Sequence, residues 1–347
     1  MTGRDPDAVA VAVDRAFPDA TIRERRPVES GNRKRTVVVR LGVGNGVRTV
    51  VVQVGADADE LRTEAALGCA IAARTDVPVP AVLAGGTVDG DDAGYLVTEH
   101  VRGDDLHERF VALDGDERER VARFFGGTLA RLHRAFEFDG VGRVGLRYRA
   151  DGDDERWTRM LDGADPGSML GVAWDGRTDA GGGRWPGWLR RHADAGIRAL
   201  PEAFDDVRPR LRRVVEEAAA SLPAAPDARL YPWDLRPGNA LVADGRVSAV
   251  LDWGEPLAAD PGLAVAKAEH LVCDWYVADG SALRHAFREG YRSRRPLPPV
   301  PAVYRLVATV RSAVDGDGVV TRPRYPELTG ADAVAFHRER LLAALDG

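Results

Sequence analysis

The dipeptide Asp244-Gly245, set between the apolar runs 240–243 and 247–251, constrains this chain more than any other local feature. Asp-Gly suits the two-residue turn that closes a β-hairpin, because its central positions need positive φ. A two-residue turn there pairs Ala243 with Arg246, and counting back pairs Asn239 with Val250. Paired residues share a face of the ribbon, as do residues two apart on one strand. Asn239 and Asp252 are therefore expected on one side, diagonal neighbours with Cα atoms about 7–8 Å apart. An amide oxygen and a carboxylate at that spacing can share one Mg²⁺, a hard cation that prefers oxygen. Asp234, on the loop entering the hairpin, is left to meet an incoming hydroxyl.

Phosphoryl transfer needs this set. One carboxylate orients and deprotonates the acceptor, while an Asn and an Asp hold the metal that neutralises phosphate charge. Asp234-Leu235 followed by Asn239 has the D-L-x-x-x-N spacing of a kinase catalytic loop, and Asp252-Trp253-Gly254 stands where protein kinases carry D-F-G.

Length and composition narrow the class. The 347 residues suggest about two domains, and 44% apolar with 29% charged residues is ordinary globular composition. A net charge of −6 argues against a general grip on nucleic acid or anionic lipid. Two cysteines, Cys69 and Cys273, are too few for a disulfide framework or a cysteine-built zinc site. No apolar run is long enough to cross a membrane. The beginning of the chain, with Arg4, Asp5, Asp7 and Asp14, lacks the apolar core of a signal peptide, so a cytoplasmic protein is expected. Lysine occurs only at Lys34 and Lys267; every other of the 48 basic residues is Arg.

The pattern along the chain is α+β. Runs rich in β-branched residues at 36–41 and 47–54, separated by a Gly-rich turn, read as strand, turn, strand. Asp57 with Glu60 resembles a capping box, and Leu61, Ala65, Gly68, Cys69 and Ala72 then recur at helical spacing before Pro78 and Pro80. Apolar runs at 81–84 and 95–101 read as a further strand pair. Residues 20–101 thus form a small sheet with one helix inserted after its third strand. Beyond Asp105 the pattern is mainly helical: Asp114 and Glu117 cap a helix with the apolar face Val121, Phe125, Leu129 and Leu132, and Leu211 to Leu222 mark another. His133 ends the first of these patterns and reads as a packed structural residue.

The stretch 232–242, with 249–253 after it, resembles the aminoglycoside phosphotransferase and choline kinase-like family. The likeness extends to Arg62-Thr63-Glu64, to 77–80, to 95–103 and to Leu129-Ala130-Arg131-Leu132-His133. It implies a bilobal protein-kinase-like fold, with a small β-rich lobe at 1–101 and a larger, mainly helical lobe at 102–347. It implies ATP and Mg²⁺ as cofactors and a small-molecule hydroxyl as acceptor. By the resemblance Asp234 is the catalytic base and Asn239 and Asp252 are the magnesium ligands. Glu64 is the helix carboxylate that normally holds the ATP lysine. The backbone of Glu99 and Val101 meets the adenine edge, and Ser30-Gly31-Asn32 lie over the phosphates.

The chain departs from the family pattern in four places. The ATP lysine position at the end of the third strand is Gln53, which can hydrogen-bond phosphate but brings no charge; Lys34, Arg33 and Arg35 are the cations near enough in sequence to substitute. At the H-x-D pattern the His is Pro232 and the small residue after it is Trp233, the second motif His is Arg236, and a later Asp is replaced by Ala264. These departures motivate an alternative, a pseudokinase-like module that binds nucleotide or a partner without transferring phosphate. The acidic run Asp151, Asp153, Asp154 and Glu155 reads as a solvated loop, and the tryptophans at 157, 174, 185 and 188 as satellite core.

Overall fold

A computed structural model describes residues 7–28, 34–88, 93–147, 166–172 and 185–346. Its contacts divide the chain into two compact units. The first holds residues 1–102 together with two returns of the chain, 144–173 and 248–256; the second holds 103–143, 174–247 and 257–347.

The first unit begins with helix α1 (Ala8–Ala16), followed by strands β1 (Ala20–Val28), β2 (Arg35–Val43) and β3 (Gly46–Gly55). Helix α2 (Ala58–Arg74) comes next, then β4 (Val82–Thr87) and β5 (Gly94–Glu99). The strands form one antiparallel sheet in the order β1-β2-β3-β5-β4. Residues of alternate parity divide its faces. Val37, Val39, Leu41, Val50, Val52, Tyr95 and Val97 form a core with Val9 and Val13 of α1. On the other face, a Cβ added at Gly94 would lie 2.7 Å from the Ala58 Cα, so glycine is what lets α2 reach the sheet. Asp57 caps α2 by accepting from the Asp59 and Glu60 amides at 2.9 and 3.1 Å; Glu60 does not complete the expected box.

Residues 248–256 belong to the first unit in part because the Val250 amide donates to the Pro78 carbonyl at 2.8 Å, in the segment after α2. Trp253 is buried, and its Nε1 donates to the Val250 carbonyl at 3.2 Å.

The second unit is mainly helical. Helix α4 (Gly115–Ala135), which follows the short β6 (Asp104–Asp105) and α3 (Leu106–Arg109), starts in a complete capping box between Asp114 and Glu117, as the sequence predicts. It lies against the helix Ser281–Arg292 so closely that a Cβ at Gly126 would be 1.9 Å from the Phe287 carbonyl oxygen, and one at Gly290 would be 2.0 Å from that of Arg123. His133 is fully buried, with Nδ1 2.7 Å from the Tyr291 hydroxyl, which bears out its structural reading. Trp185 is core, and its Nε1 donates to the Tyr304 hydroxyl at 2.8 Å. Trp157, Trp174 and the acidic run at 151–155 lie outside the described residues.

The hairpin is present. Asp244 and Gly245 have φ of +50° and +70°, between strands Ala240–Ala243 and Arg246–Val250. The first of these strands also pairs antiparallel with β6, Leu241 opposite Asp105. Among the described residues no helix is long and apolar enough to cross a membrane.

Candidate active site

The sequence-predicted residues fall into two groups, one in each unit. In the first unit Glu64, on α2, is almost wholly buried rather than solvated. It faces Lys34, the residue just before β2. The Lys34 Nζ donates to the Glu64 Oε2 in a close ion pair and stands 3.3 Å from the Asp252 Oδ1. Burial works against the Lys34 ammonium, but the Glu64 and Asp252 carboxylates outweigh it and hold its pKa above the ordinary lysine value. Burial likewise pushes the Glu64 carboxyl up; Lys34 opposes that shift, while Asp252 and Glu60 add to it.

Asp252 is held differently from its neighbours. Its φ is +56°, the left-handed region, where Asp is one of the few side chains tolerated and where outliers gather at functional sites. With Trp253 buried next to it, this twist leaves the Asp252 carboxylate about half exposed, at 51%. Gly254 follows, and a Cβ there would lie 3.1 Å from the Lys34 Nζ and 3.4 Å from the Asp252 Oδ1.

Gln53 is half-buried on β3, paired with Thr36 on β2 and Leu96 on β5. Leu96 shares a face with Gly94, against which Ala58 of α2 packs, so Gln53 is on the α2 side of the sheet. The Glu99 amide, at the end of β5, is already donated to the Ala81 carbonyl at 2.9 Å. Val101 follows it, half-buried. Ser30, Gly31 and Asn32 lie outside the described residues.

In the second unit strand β7 (Arg229–Tyr231) delivers the chain into the Asp234 loop; β7 is also paired with the strand Leu257–Ala259. A single turn at Pro237–Asn239 ends the loop, closed by the Asn239 amide donating to the Arg236 carbonyl at 3.0 Å. The Asn239 Nδ2 donates to the Asp234 carbonyl at 2.9 Å. A carbonyl can only accept, so the nitrogen must face it, and the amide oxygen has no partner among the described residues. The Asp234 carboxylate has the Arg236 Nε 3.8 Å away.

Sequence reasoning assigned no role to Lys267. It is 2% exposed on the helix Pro261–Glu269, donates to the Arg311 carbonyl at 2.9 Å, and sits 4.5 Å from the Trp233 ring centroid, with the Arg311 guanidinium carbon 4.9 Å from the same ring. Burial brings its pKa down to about 7, with the Asp234 carboxylate pulling the other way. The one signal in the sequence was its rarity, since Lys34 and Lys267 are the only lysines.

The donor chemistry fits a hard cation. Taken each in its own unit, Asp252 offers a half-exposed carboxylate and Asn239 an amide oxygen, both of the hard-oxygen type that Mg²⁺ prefers. Among the described residues no group of three or more His, Cys, Asp and Glu side chains gathers to hold a metal by itself.

Comparison with known proteins gives the same direction. The model of a family described as the phosphotransferase enzyme family matches residues 24–306. No curated protein matches the sequence. Among solved structures, a thermostable mutant of the aminoglycoside phosphotransferase APH(4)-Ia, in ternary complex with ADP and hygromycin B, is similar with a TM-score of 0.62 and 17% identity over 96% of each chain. The GDP and kanamycin complex of APH(2'')-IIIa aligns with a TM-score of 0.58 and 14% identity, over 97% of this chain and 96% of that one. A candidate fructosamine-3-kinase from Haemophilus somnus aligns with a TM-score of 0.54 and 13% identity, again over 97% and 96%. At these identities the likeness is one of fold, and it covers 96–97% of this chain.

Proposed function

The chain belongs to the phosphotransferase enzyme family, and we propose that it transfers the γ-phosphate of ATP to a hydroxyl of a small molecule, with Mg²⁺ as the metal. The observation that carries this reading is the bond from the Asn239 side chain to the Asp234 carbonyl. It ties the candidate base to a candidate metal ligand, turning the amide nitrogen inward and leaving the amide oxygen to bind.

Asp234 is the residue that receives the acceptor. Its carboxylate accepts a hydrogen bond from the acceptor hydroxyl, orients the oxygen toward the γ-phosphorus and takes the proton as the new P–O bond forms. The bond from the γ-phosphorus to the bridging oxygen breaks, and its electron pair leaves with ADP. Asn239 and Asp252 are the magnesium ligands of this reading. Bound there, Mg²⁺ would neutralise charge on the phosphate oxygens. Arg236, near the Asp234 carboxylate, adds a fixed positive charge beside the loop.

A thermal-shift titration with ATP, with and without Mg²⁺, followed by an ADP-release assay over aminoglycoside, choline and sugar acceptors, tests the reading. Metal-dependent stabilisation together with acceptor-dependent ADP release is the expected result. Stabilisation without transfer to any acceptor would favour a pseudokinase-like binding module, for which Gln53 and Pro232 speak. No stabilisation by ATP would overturn the transferase reading and favour a module that binds a partner instead.

A further inference from the structure

We propose that the phosphate-binding lysine of this chain has moved from the third strand to the start of the second: Lys34, paired with Glu64, grips the nucleotide phosphates in place of the residue at Gln53. The inference rests on the phosphotransferase reading and concerns one residue within it.

Four observations in the first unit carry it. The first is position. Gln53 is paired with Thr36, and Lys34 precedes Thr36 by two residues, so Lys34 is placed on the same α2-facing side of the sheet, one strand over. An ammonium arriving from there reaches the same carboxylate on α2 that a lysine at position 53 would be held by, as the ion pair with Glu64 demonstrates.

The second is cost. Lys34 is 13% exposed and Glu64 6%. A charge pair withdrawn from water to this degree gives little net stability over well-packed apolar side chains, so its presence calls for a use other than holding the fold.

The third is donor count. An ammonium has three N–H donors. Glu64 takes one and Asp252, at 3.3 Å, a second; the third has no acceptor among the described residues. An anionic oxygen brought to Asp252 by a metal would meet that donor. Gly254 keeps the approach open, because a side chain there would press within 3.1 Å of the Nζ.

The fourth is residue choice. A chain that writes nearly all of its 48 basic positions as Arg keeps a lysine here. Lysine is a compact point charge on a flexible stem, suited to a phosphate between two carboxylates, whereas the planar guanidinium is wider and needs a fork of acceptors.

The experiment compares wild type, Lys34→Met, Lys34→Arg and the double variant Lys34→Met with Gln53→Lys, using thermal shift and calorimetry with ATP, ADP and adenosine in the presence of Mg²⁺. Lys34→Met is expected to weaken ATP and ADP by about tenfold or more while leaving adenosine unchanged, because only the phosphates lose a charge-assisted bond. The double variant is expected to recover part of that loss, and Lys34→Arg to recover less than the double variant. Equal weakening of all three ligands would mark a purely structural role and overturn the inference, as would unchanged ATP affinity in Lys34→Met. Should Lys34→Met fail to fold, the variant Lys34→Met with Glu64→Leu removes both halves of the buried pair and is read in the same way. An absence of ATP binding in wild type would overturn the phosphotransferase reading and this inference together; binding in wild type that Lys34→Met leaves intact would overturn this inference alone.

Discussion

The side-chain nitrogen of Asn239 donates to the backbone carbonyl of Asp234 at 2.9 Å, so the two ends of the loop are locked by one bond. In the proposed reading Asn239 has two separable duties, tying the loop through that bond and offering an oxygen to Mg²⁺. Asn239→Ala removes both, and the Mg²⁺ concentration giving half-maximal ATP stabilisation is expected to rise at least about tenfold. Asn239→Asp keeps an oxygen but cannot donate. It is expected to retain metal-dependent stabilisation while the apo protein loses about 1 kcal/mol, the usual worth of one such hydrogen bond, by urea denaturation.

Asp234 is the only group given a proton-transfer duty. Asp234→Asn preserves shape and removes basicity. Turnover is expected to fall by about 10²–10⁴, the range of general-base contributions, with ATP affinity within a factor of about two of wild type. Steady-state ADP release and calorimetry on the same preparation check the split. Unchanged turnover would remove Asp234 from the chemistry.

Lys267 makes stability depend on pH in a definite direction. Its pKa is about 7 in the folded chain against an ordinary 10.5, with burial as the cause and Asp234, Arg311 and Arg236 as its charged neighbours. Between these values the unfolded chain carries a proton that the native chain lacks, so this group's contribution to stability rises with pH from about 7 to about 10.5. Lys267→Met should flatten that rise relative to wild type. Denaturant midpoints of both proteins at pH 7 and pH 9 measure it, and parallel curves would show that Lys267 does not titrate there.

The contact of α4 with the helix Ser281–Arg292 depends on absent side chains. A Cβ at position 126 would meet the Phe287 carbonyl oxygen at 1.9 Å, a backbone atom that cannot swing away. Gly126→Ala is expected to destabilise the protein by about 1–3 kcal/mol through forced separation of the helices, despite alanine's better helix propensity. Chemical denaturation checks it; a gain in stability would mean that the two helices part without cost.

Much of the fold was legible because it is local. Turn chemistry placed Asp244-Gly245, N-cap chemistry placed Asp57 and Asp114, and β-branched runs placed β2 and β3. Helix α1 was not legible. Its sequence alternates Ala and Val without helical periodicity, and the burial of Val9, Ala12 and Val13 decides the matter through packing on the sheet. Glu64 reads by default as a solvated helix charge, and nothing within a helical turn of it reveals that a lysine 30 residues away will bury it. Lys267 is hidden for the same reason, since its partners Trp233 and Arg311 lie in other elements.

The hairpin, strands β2 and β3 and the spacing of Asp234, Asn239 and Asp252 can be read from the chain alone, since each follows from neighbours along it. Packing brings Lys34 to both Glu64 and Asp252, across separations of 30 and 218 residues, and sets Lys267 on Trp233. Such meetings are set by how sheet and helices pack, and a one-dimensional pattern does not encode which distant side chains packing will confine together out of water.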